Sequence, residues 1–220
     1  MTKPGTTPRT KVKRVPYLSV SDPKIRNEIL DHSVLAHVAI ADDSGQPFVL
    51  PMAFARDGER LLLHGSTKSR LMRSLAAGTP ACVEVTILDG LVLSRSAFES
   101  SMNYRSVVAL GIGHELLGKE KEQAFEVLTD KLIPGRVAEV RATTKAELKA
   151  TLIIEFPLNE TSVKLRRGPH EDRPEDLELP IWAGEIPLKT IALAPIAGDK
   201  NAENLEIPPS VKNLIKNPPQ

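Results

Sequence analysis

The sequence predicts a mainly β fold with peripheral helices, an antiparallel barrel closed or nearly so, and three observations carry that prediction. Short runs rich in Val, Ile and Leu recur along the chain, as half-buried strands do. Asp57-Gly58 and Asp89-Gly90 separate pairs of such runs, and Asp-Gly supplies the positive φ of a two-residue hairpin turn. Helical spacing is confined to a few segments, too few for the alternation with crossover helices that a parallel sheet requires.

Taken in order, residues 1–15 are rich in Pro, Thr and basic side chains and read as a mobile N-terminal arm. Asp22-Pro23 opens a helix, the acid as cap and the proline in the first turn, with Ile25, Ile29 and Leu30 as its buried stripe. Val34 to Ala41 forms the first strand and ends in the turn Asp42-Asp43-Ser44-Gly45. Val49 to Phe54 and Arg60 to His64 form a hairpin about Asp57-Gly58, and a helix carrying Leu71, Met72 and Leu75 runs to Gly78. Ala81 to Leu88 and Leu91 to Phe98 make a second hairpin about Asp89-Gly90. A sixth strand extends from Tyr104 to Leu117, with Gly111 and Gly113 suited to a bulge or barrel bend. Lys119 to Leu132 is an amphipathic helix, a shorter one surrounds Thr143 to Lys149, and strand character returns at Leu152 to Phe156 and Ser162 to Leu165. Residues 16–195 read as one domain, followed by a polar, proline-containing tail over 196–220.

Composition narrows the partners. Twenty-nine Lys and Arg against 28 Asp and Glu give a net charge of +1, so no global field favours nucleic acid or an anionic membrane. No apolar run approaches the ~20 residues of a membrane span, and the basic N-terminus lacks an apolar signal core, so the expectation is a cytoplasmic protein. The single cysteine, Cys82, sits in Ala81-Cys82-Val83 and reads as a packed core thiol. The five histidines form no zinc pattern, so no metal site is expected. His37, inside the first strand, reads as a cross-strand core or surface residue. Neither a GxSxG elbow nor a Gly-rich nucleotide fingerprint occurs.

The chemistry concentrates elsewhere. In His64-Gly65-Ser66-Thr67-Lys68-Ser69-Arg70, hydroxyls and two cations gather where a helix starts. Free N–H groups, the helix dipole and the cations together suit a phosphate; an ordinary capped surface helix with solvated cations fits the same residues. Hydroxyls, an amide and a guanidinium also gather in Ser100 to Ser106. Arg105 and Ser106 point to opposite faces of a regular strand, so one polar site uses both only through a bulge or two subunits. Lys164 and Arg166 share a strand face, and Trp182 is the only tryptophan, suited either to filling a core or interface or to stacking.

These stretches carry a resemblance. Phe48 to Phe54, His64 to Arg70, Asp89 to Arg95, Ser101 to Val107, and Trp182-Ala183-Gly184 with Pro187 resemble the flavin-binding split-barrel proteins related to pyridoxamine 5′-phosphate oxidase. The closest branch is the one that includes the nitroimidazole-resistance flavoproteins. The likeness spans roughly Pro16 to Leu193. It implies a six-stranded split barrel that forms a homodimer with two FMN molecules between the subunits. By the same resemblance Leu50, Pro51, Met52, Ala53 and Phe54 line the isoalloxazine edge, and His64 and Gly65 lie near the ribityl chain. Ser66, Thr67, Lys68 and Arg70 hold the phosphate, while Asn103, Tyr104, Arg105 and Ser106 complete the pocket, some from the partner chain. Trp182 meets the flavin, Lys164 or Arg166 is the cation near the reduced ring, and His64 is the catalytic candidate. The Arg-Leu-His element of true pyridoxamine-phosphate oxidases has no counterpart beyond Pro187, so that reaction is disfavoured. The expectation is an FMN-dependent oxidoreductase on a small molecule, with deazaflavin or haem as alternative cofactors and a non-catalytic flavin- or haem-binding protein as the alternative function.

Overall fold

The structure, a computed structural model, describes residues 2–218. Strands β1 (Leu35–Ala41), β2 (Pro47–Asp57), β3 (Arg60–Ser66), β4 (Pro80–Leu93), β5 (Ser101–Ile112), β6 (His114–Glu115), β7 (Thr151–Pro157), β8 (Thr161–Arg166) and β9 (Gly184–Pro187) follow one another along the chain. Helices α1 (Pro23–His32), α2 (Arg70–Ala76), α3 (Gly118–Leu132), α4 (Lys145–Ala150) and α5 (Pro209–Lys216) lie between and after them. The strands run in the order β6-β7-β3-β2-β1-β4-β5-β8, all antiparallel, with β9 added to β4. The mainly antiparallel barrel is as expected; the described residues hold nine strands where the resemblance implied six.

β2 splits the barrel into two sheets. Its first part, Pro47 to Ala53, pairs with β1, and its second, Phe54 to Asp57, pairs with β3. Leu158 N–H donates to Glu59 O at 3.0 Å, which carries the β3–β7 pairing one step past Arg60 and Pro157 and sets the β7–β8 turn beside the β2–β3 turn. Arg26 of α1 lies beneath that junction with no exposed surface, donating to Leu158 O and to a Glu59 carboxylate oxygen at 2.6 Å. Inside the barrel, Val38, Phe54, Leu61, Leu63, Val83, Val107, Ile154 and Phe156 form one core with α1 and α2. A second core lies on the other side of β3 and β7, where α3 sets Ala124 and Leu128 on Leu62 and Ile153. Coverage of both faces explains why Leu61, Leu62 and Leu63 are all buried in succession. Burying each such side chain contributes about 1.5–3 kcal/mol.

The two Asp-Gly pairs take different conformations. At the first, Asp57 pairs with Arg60 and Gly58 has φ +58°, so the hairpin forms with Gly58-Glu59 at its tip, one residue later than expected. Glycine with positive φ at the first central position is the type II′ pattern. The second expected hairpin is absent: Pro80–Leu93 is one continuous strand, irregular between Leu88 and Gly90, and residues 94–100 form a loop. Gly90 lacks the positive φ that a hairpin turn needs. A Cβ there would stand 3.0 Å from Ile186 O, so the glycine admits the added strand β9.

Other boundaries shift for local reasons. β5 stops at Ile112, and Gly113 turns the chain against Ile154 before the short β6. Ser69, rather than Ser66 or Thr67, caps α2, its hydroxyl accepting from Met72 N–H. Thr144 and Glu147 form a reciprocal capping box on α4. Within 1–15, Gly5 N–H donates to Thr161 O, and Thr7 and Arg9 bond the Glu160 carboxylate. The tail forms α5, whose Ser210 is held by Glu139. Among the described residues, no helix is long and apolar enough to cross a membrane.

Candidate functional site

The loop before α2 is built from its own backbone. Ser66 Oγ accepts from Lys68 N–H at 3.1 Å, Ser66 O from Ser69 N–H at 2.9 Å, and Thr67 N–H donates to Ala150 O at 3.0 Å. The amides of Thr67, Lys68 and Ser69 are thus engaged within the protein. Lys68 and Arg70 are exposed and make no ion pair among the described residues. The Arg70 guanidinium lies 3.7 Å from the centre of the Phe48 ring, a cation–π contact with a side chain on the core-facing row of β2. This loop therefore holds two exposed cations at the end of β3, with Arg70 near the Asp42 carboxylate, whose pKa is lowered first by the Ser44 hydroxyl and least by the Arg70 charge.

From β2 to β8 a single outer face runs away from the barrel core. Pairing across strands places Pro51 beside His37, His37 beside Glu84, and Glu84 beside Val108. Two residues along, Ala53 stands beside Leu35, and Thr86 beside Ser106, which pairs with Lys164. Leu88, Tyr104 and Arg166 form the next row. By the strand alternation of two, Pro51, Ala53, Tyr104, Ser106 and Lys164 therefore share one face. Leu35, Val49 and Leu88 on it are 48%, 56% and 42% exposed, an unusual amount of open apolar surface for the middle of a sheet. Cys82 also lies in this direction, half-buried, two residues from Glu84; the expectation of a core thiol is corrected by the alternation that sends Ala81 and Val83 inward. Burial first, and then the Glu84 charge, push its pKa up.

The remaining predicted residues divide. Leu50, Met52 and Phe54 alternate with that face: Phe54 is wholly in the core, Met52 packs against it, and Leu50 is exposed. For Phe54 only the backbone is available to a ligand. Gly65, one residue on from His64 in β3, is half-buried. His64 lies under α3, its ring centre 6.3 Å from that of Phe125, with its buried Nδ1 unpartnered among the described residues. Burial pushes its pKa down, so it is a neutral imidazole at neutral pH.

Asn103 and Arg105 belong to a separate polar cluster. Asn103 Nδ2 donates to Gly168 O and Glu185 Oε1, its Oδ1 accepts from Arg166 at 2.7 Å, and Arg105 makes a two-pronged pair with Asp89 at 2.8 and 2.7 Å. These bonds tie β9 and the chain after β8 to the bulged part of β4. Arg105 and Ser106 point to opposite faces with a regular register between them. Trp182, just before β9, is 68% exposed with its ring over Gly184.

Three groups escaped the sequence reading. Asp172 bonds both the Arg95 N–H and its guanidinium, with His170 Nε2 3.4 Å away. Arg26 is the buried arginine under the barrel junction. His37 Nδ1 lies 3.3 Å from Glu84 Oε2, and Thr86 Oγ1 donates to the other Glu84 oxygen. The histidine and carboxylate stand 47 residues apart in sequence, so strand register alone brings them together.

Comparison with known proteins points one way. Residues 22–165 match the family model described as pyridoxamine 5′-phosphate oxidase. The FAD and haem binding protein from Mycobacterium smegmatis is 40% identical, with TM-score 0.86, covering 89% of this chain and 96% of that one. The flavocytochrome Anf3 from Azotobacter vinelandii is 35% identical, with TM-score 0.87, covering 94% and 96%. A candidate 5-nitroimidazole antibiotic resistance protein from Bacteroides thetaiotaomicron shares the fold at 18% identity and TM-score 0.57, covering 66% and 85%. No curated protein matches.

Proposed function

The chain belongs to the pyridoxamine 5′-phosphate oxidase family, and from that membership we propose that it is an oxidoreductase of the flavin-binding split-barrel kind. It holds FAD, together with haem, on the outer sheet face of a homodimer. The observation that carries this reading is the open apolar face that bears Pro51, Ala53, Tyr104 and Ser106, together with the exposed cations Lys68 and Arg70 in the loop after β3. The donor set suits the flavin: cations and the hydroxyls of Ser66, Thr67 and Ser69 for phosphate, apolar strand surface for the ring. FAD rather than FMN is favoured by the 40% identical relative, described as an FAD and haem binding protein. The flavocytochrome at 35% identity supports the haem half.

Bound flavin supplies two-electron and one-electron transfer and haem one-electron transfer; the chain binds, orients and shields. Lys68 and Arg70 hold the phosphates. Lys164, at the far end of the Thr86–Ser106 row, offers a cation to the face, where positive charge favours an anionic reduced ring. A second copy covering the face explains why Leu35, Val49 and Leu88 are exposed in one chain. It also lets Arg105 and Ser106, on opposite faces, serve different subunits' surfaces.

The test is titration of cofactor-stripped protein with FAD, FMN and the deazaflavin F420, read by flavin fluorescence, with sedimentation of each complex. FAD is expected to bind tightest, one per chain, on a dimer. Binding of F420 alone, or flavin binding to a stable monomer, overturns the assignment.

A further inference from the structure

We infer that residues 190–207 form an arm that packs on a second copy of this chain, in an apolar trough at one end of the outer face; this rests on the dimer of the proposed function and names one of its contacts. The arm is anchored on its own chain at both ends. Leu188 N–H donates to Asp89 O at 2.9 Å, and Lys189 lines one cavity with His32, Val34, Leu214 and Lys216. At the far end Ser210 is held by Glu139. Between these anchors little of the segment is packed. Among the described residues, its hydrogen bonds stay within 199–212. Ile191, Leu193 and Ile196 are 65%, 75% and 94% exposed, although removing such side chains from water is what drives folding and association.

The trough lies at the opposite end of the outer face from the root of the arm. Cross-strand pairing sets Ala39, Cys82 and Leu110 side by side, one row beyond His37, Glu84 and Val108. With Pro47, Pro80 and Ile112 they line an open trough of about 440 Å³. The root of the arm is bonded at Asp89, next to Leu88, and lies by Val34, next to Leu35, at the end that carries Tyr104 and Ser106. At a rise of about 3.3 Å per residue, the two ends stand about 20 Å apart. One chain thus presents an apolar arm at one end of the face and an apolar trough at the other. A two-fold axis that crosses the strands at right angles sets each end of the face on the opposite end of its partner's. Two copies then fill both troughs with both arms, as a self-complementary contact requires.

The chemistry of the arm suits that seat. Residues 190–198, Thr-Ile-Ala-Leu-Ala-Pro-Ile-Ala-Gly, hold no charged side chain. Of the described residues lining the trough, Arg9 alone is charged, and its guanidinium is bonded to Glu160. Pro195 brings no N–H that would need a partner in an apolar seat. The contact is continuous with the surface already given to the second subunit, because the exposed Val49 is the direct cross-strand neighbour of Ala39. The flavin-edge residues Ala53, Tyr104 and Ser106 belong to the other end, so the arm seals the subunit boundary beyond the cofactor.

Cys82 is the single cysteine and reports from the trough. The experiment makes Ile191→Cys, Leu193→Cys and Ile196→Cys one at a time in the full chain, oxidises each with diamide, and reads cross-links on a denaturing, non-reducing gel. At least one is expected to give a disulfide-linked dimer that disappears when Cys82→Ser is added. A link inside one chain, seen as thiols lost without a dimer band, overturns the second copy as the occupant. A dimer band that survives Cys82→Ser joins arm to arm and overturns the trough. In parallel, the triple variant Ile191→Ser, Leu193→Ser, Ile196→Ser is expected to speed the reaction of Cys82 with an aromatic disulfide reagent by about tenfold, as exposure does for a thiol. Cys82 that reacts as fast in the parent as in the triple variant leaves the trough to another occupant and overturns the arm contact. Sedimentation separates the two levels: a dimer with none of these links loses the arm alone, whereas a stable monomer overturns the dimer of the proposed function and the arm with it.

Discussion

Replacing Lys68 and Arg70 together by alanine is expected to strip the flavin while leaving the barrel folded. Hydrogen bonds from charged donors contribute roughly 1.5–3 kcal/mol each. Losing two such contacts to a phosphate therefore raises the dissociation constant by about 10²–10⁴. The fold gives up little in exchange. Both side chains are exposed, neither forms an ion pair among the described residues, and Arg70 touches the Phe48 ring and lies near the exposed Asp42. At an exposed site that contact contributes about 0.5–1 kcal/mol. Fluorescence titration and thermal unfolding on the same samples separate the two effects: weak flavin with a nearly unchanged melting temperature is the expected pair. Undiminished affinity would move the phosphates away from this loop.

Arg26→Ala is expected to destabilise the fold by about 3 kcal/mol, the lower end of the range for breaking a buried ion pair from one side. Arg26 has no exposed surface and is bonded to Leu158 O, Asn27 and Glu59. Truncation leaves the Leu158 carbonyl short of a donor and opens a cavity where the two hairpin ends meet. The cost stops short of the upper end because the Glu59 side chain is 37% exposed and rehydrates when its partner leaves. Arg26→Met, which refills the space, should recover part of the loss. Urea unfolding of the three proteins decides the matter. A midpoint for Arg26→Ala equal to that of the parent would mean that the junction of the two turns does not depend on this side chain.

Arg26 also marks where sequence reading stops. Ile25, Ile29 and Leu30 announce the buried stripe of α1 correctly, but an arginine beside them reads as solvent-exposed. Only the meeting of two distant turns supplies its partners. The Asp-Gly pairs make the same point about local signals. Asp57-Gly58 lies at a hairpin because nothing competes with the local preference for a turn, whereas Asp89 is drawn to Arg105 and Gly90 opens to Ile186 of β9. The second outcome depends on a strand some 100 residues further on, formed by the four residues Gly184–Pro187, too short to show a periodic pattern.

The candidate site was legible in its parts rather than its arrangement. Hydroxyls and cations before an apolar helical stripe identify the Ser66 to Arg70 loop, because capping chemistry and charge are local properties. That Pro51, Ala53 and Ser106 share a face follows from register across four strands, which residue patterns do not specify. His37 shows this most sharply. As a lone histidine in an apolar strand it reads as packing, and its carboxylate partner appears only when β4 sets Glu84 beside it.

The measurement that tests the central claim most directly is the absorption spectrum of the purified protein, followed by denaturation and mass identification of what is released. Flavin and haem bands together, with FAD and haem recovered, are the predicted result. A colourless protein that takes up neither on addition would contradict the account, leaving the split barrel as a fold whose outer face serves some other purpose.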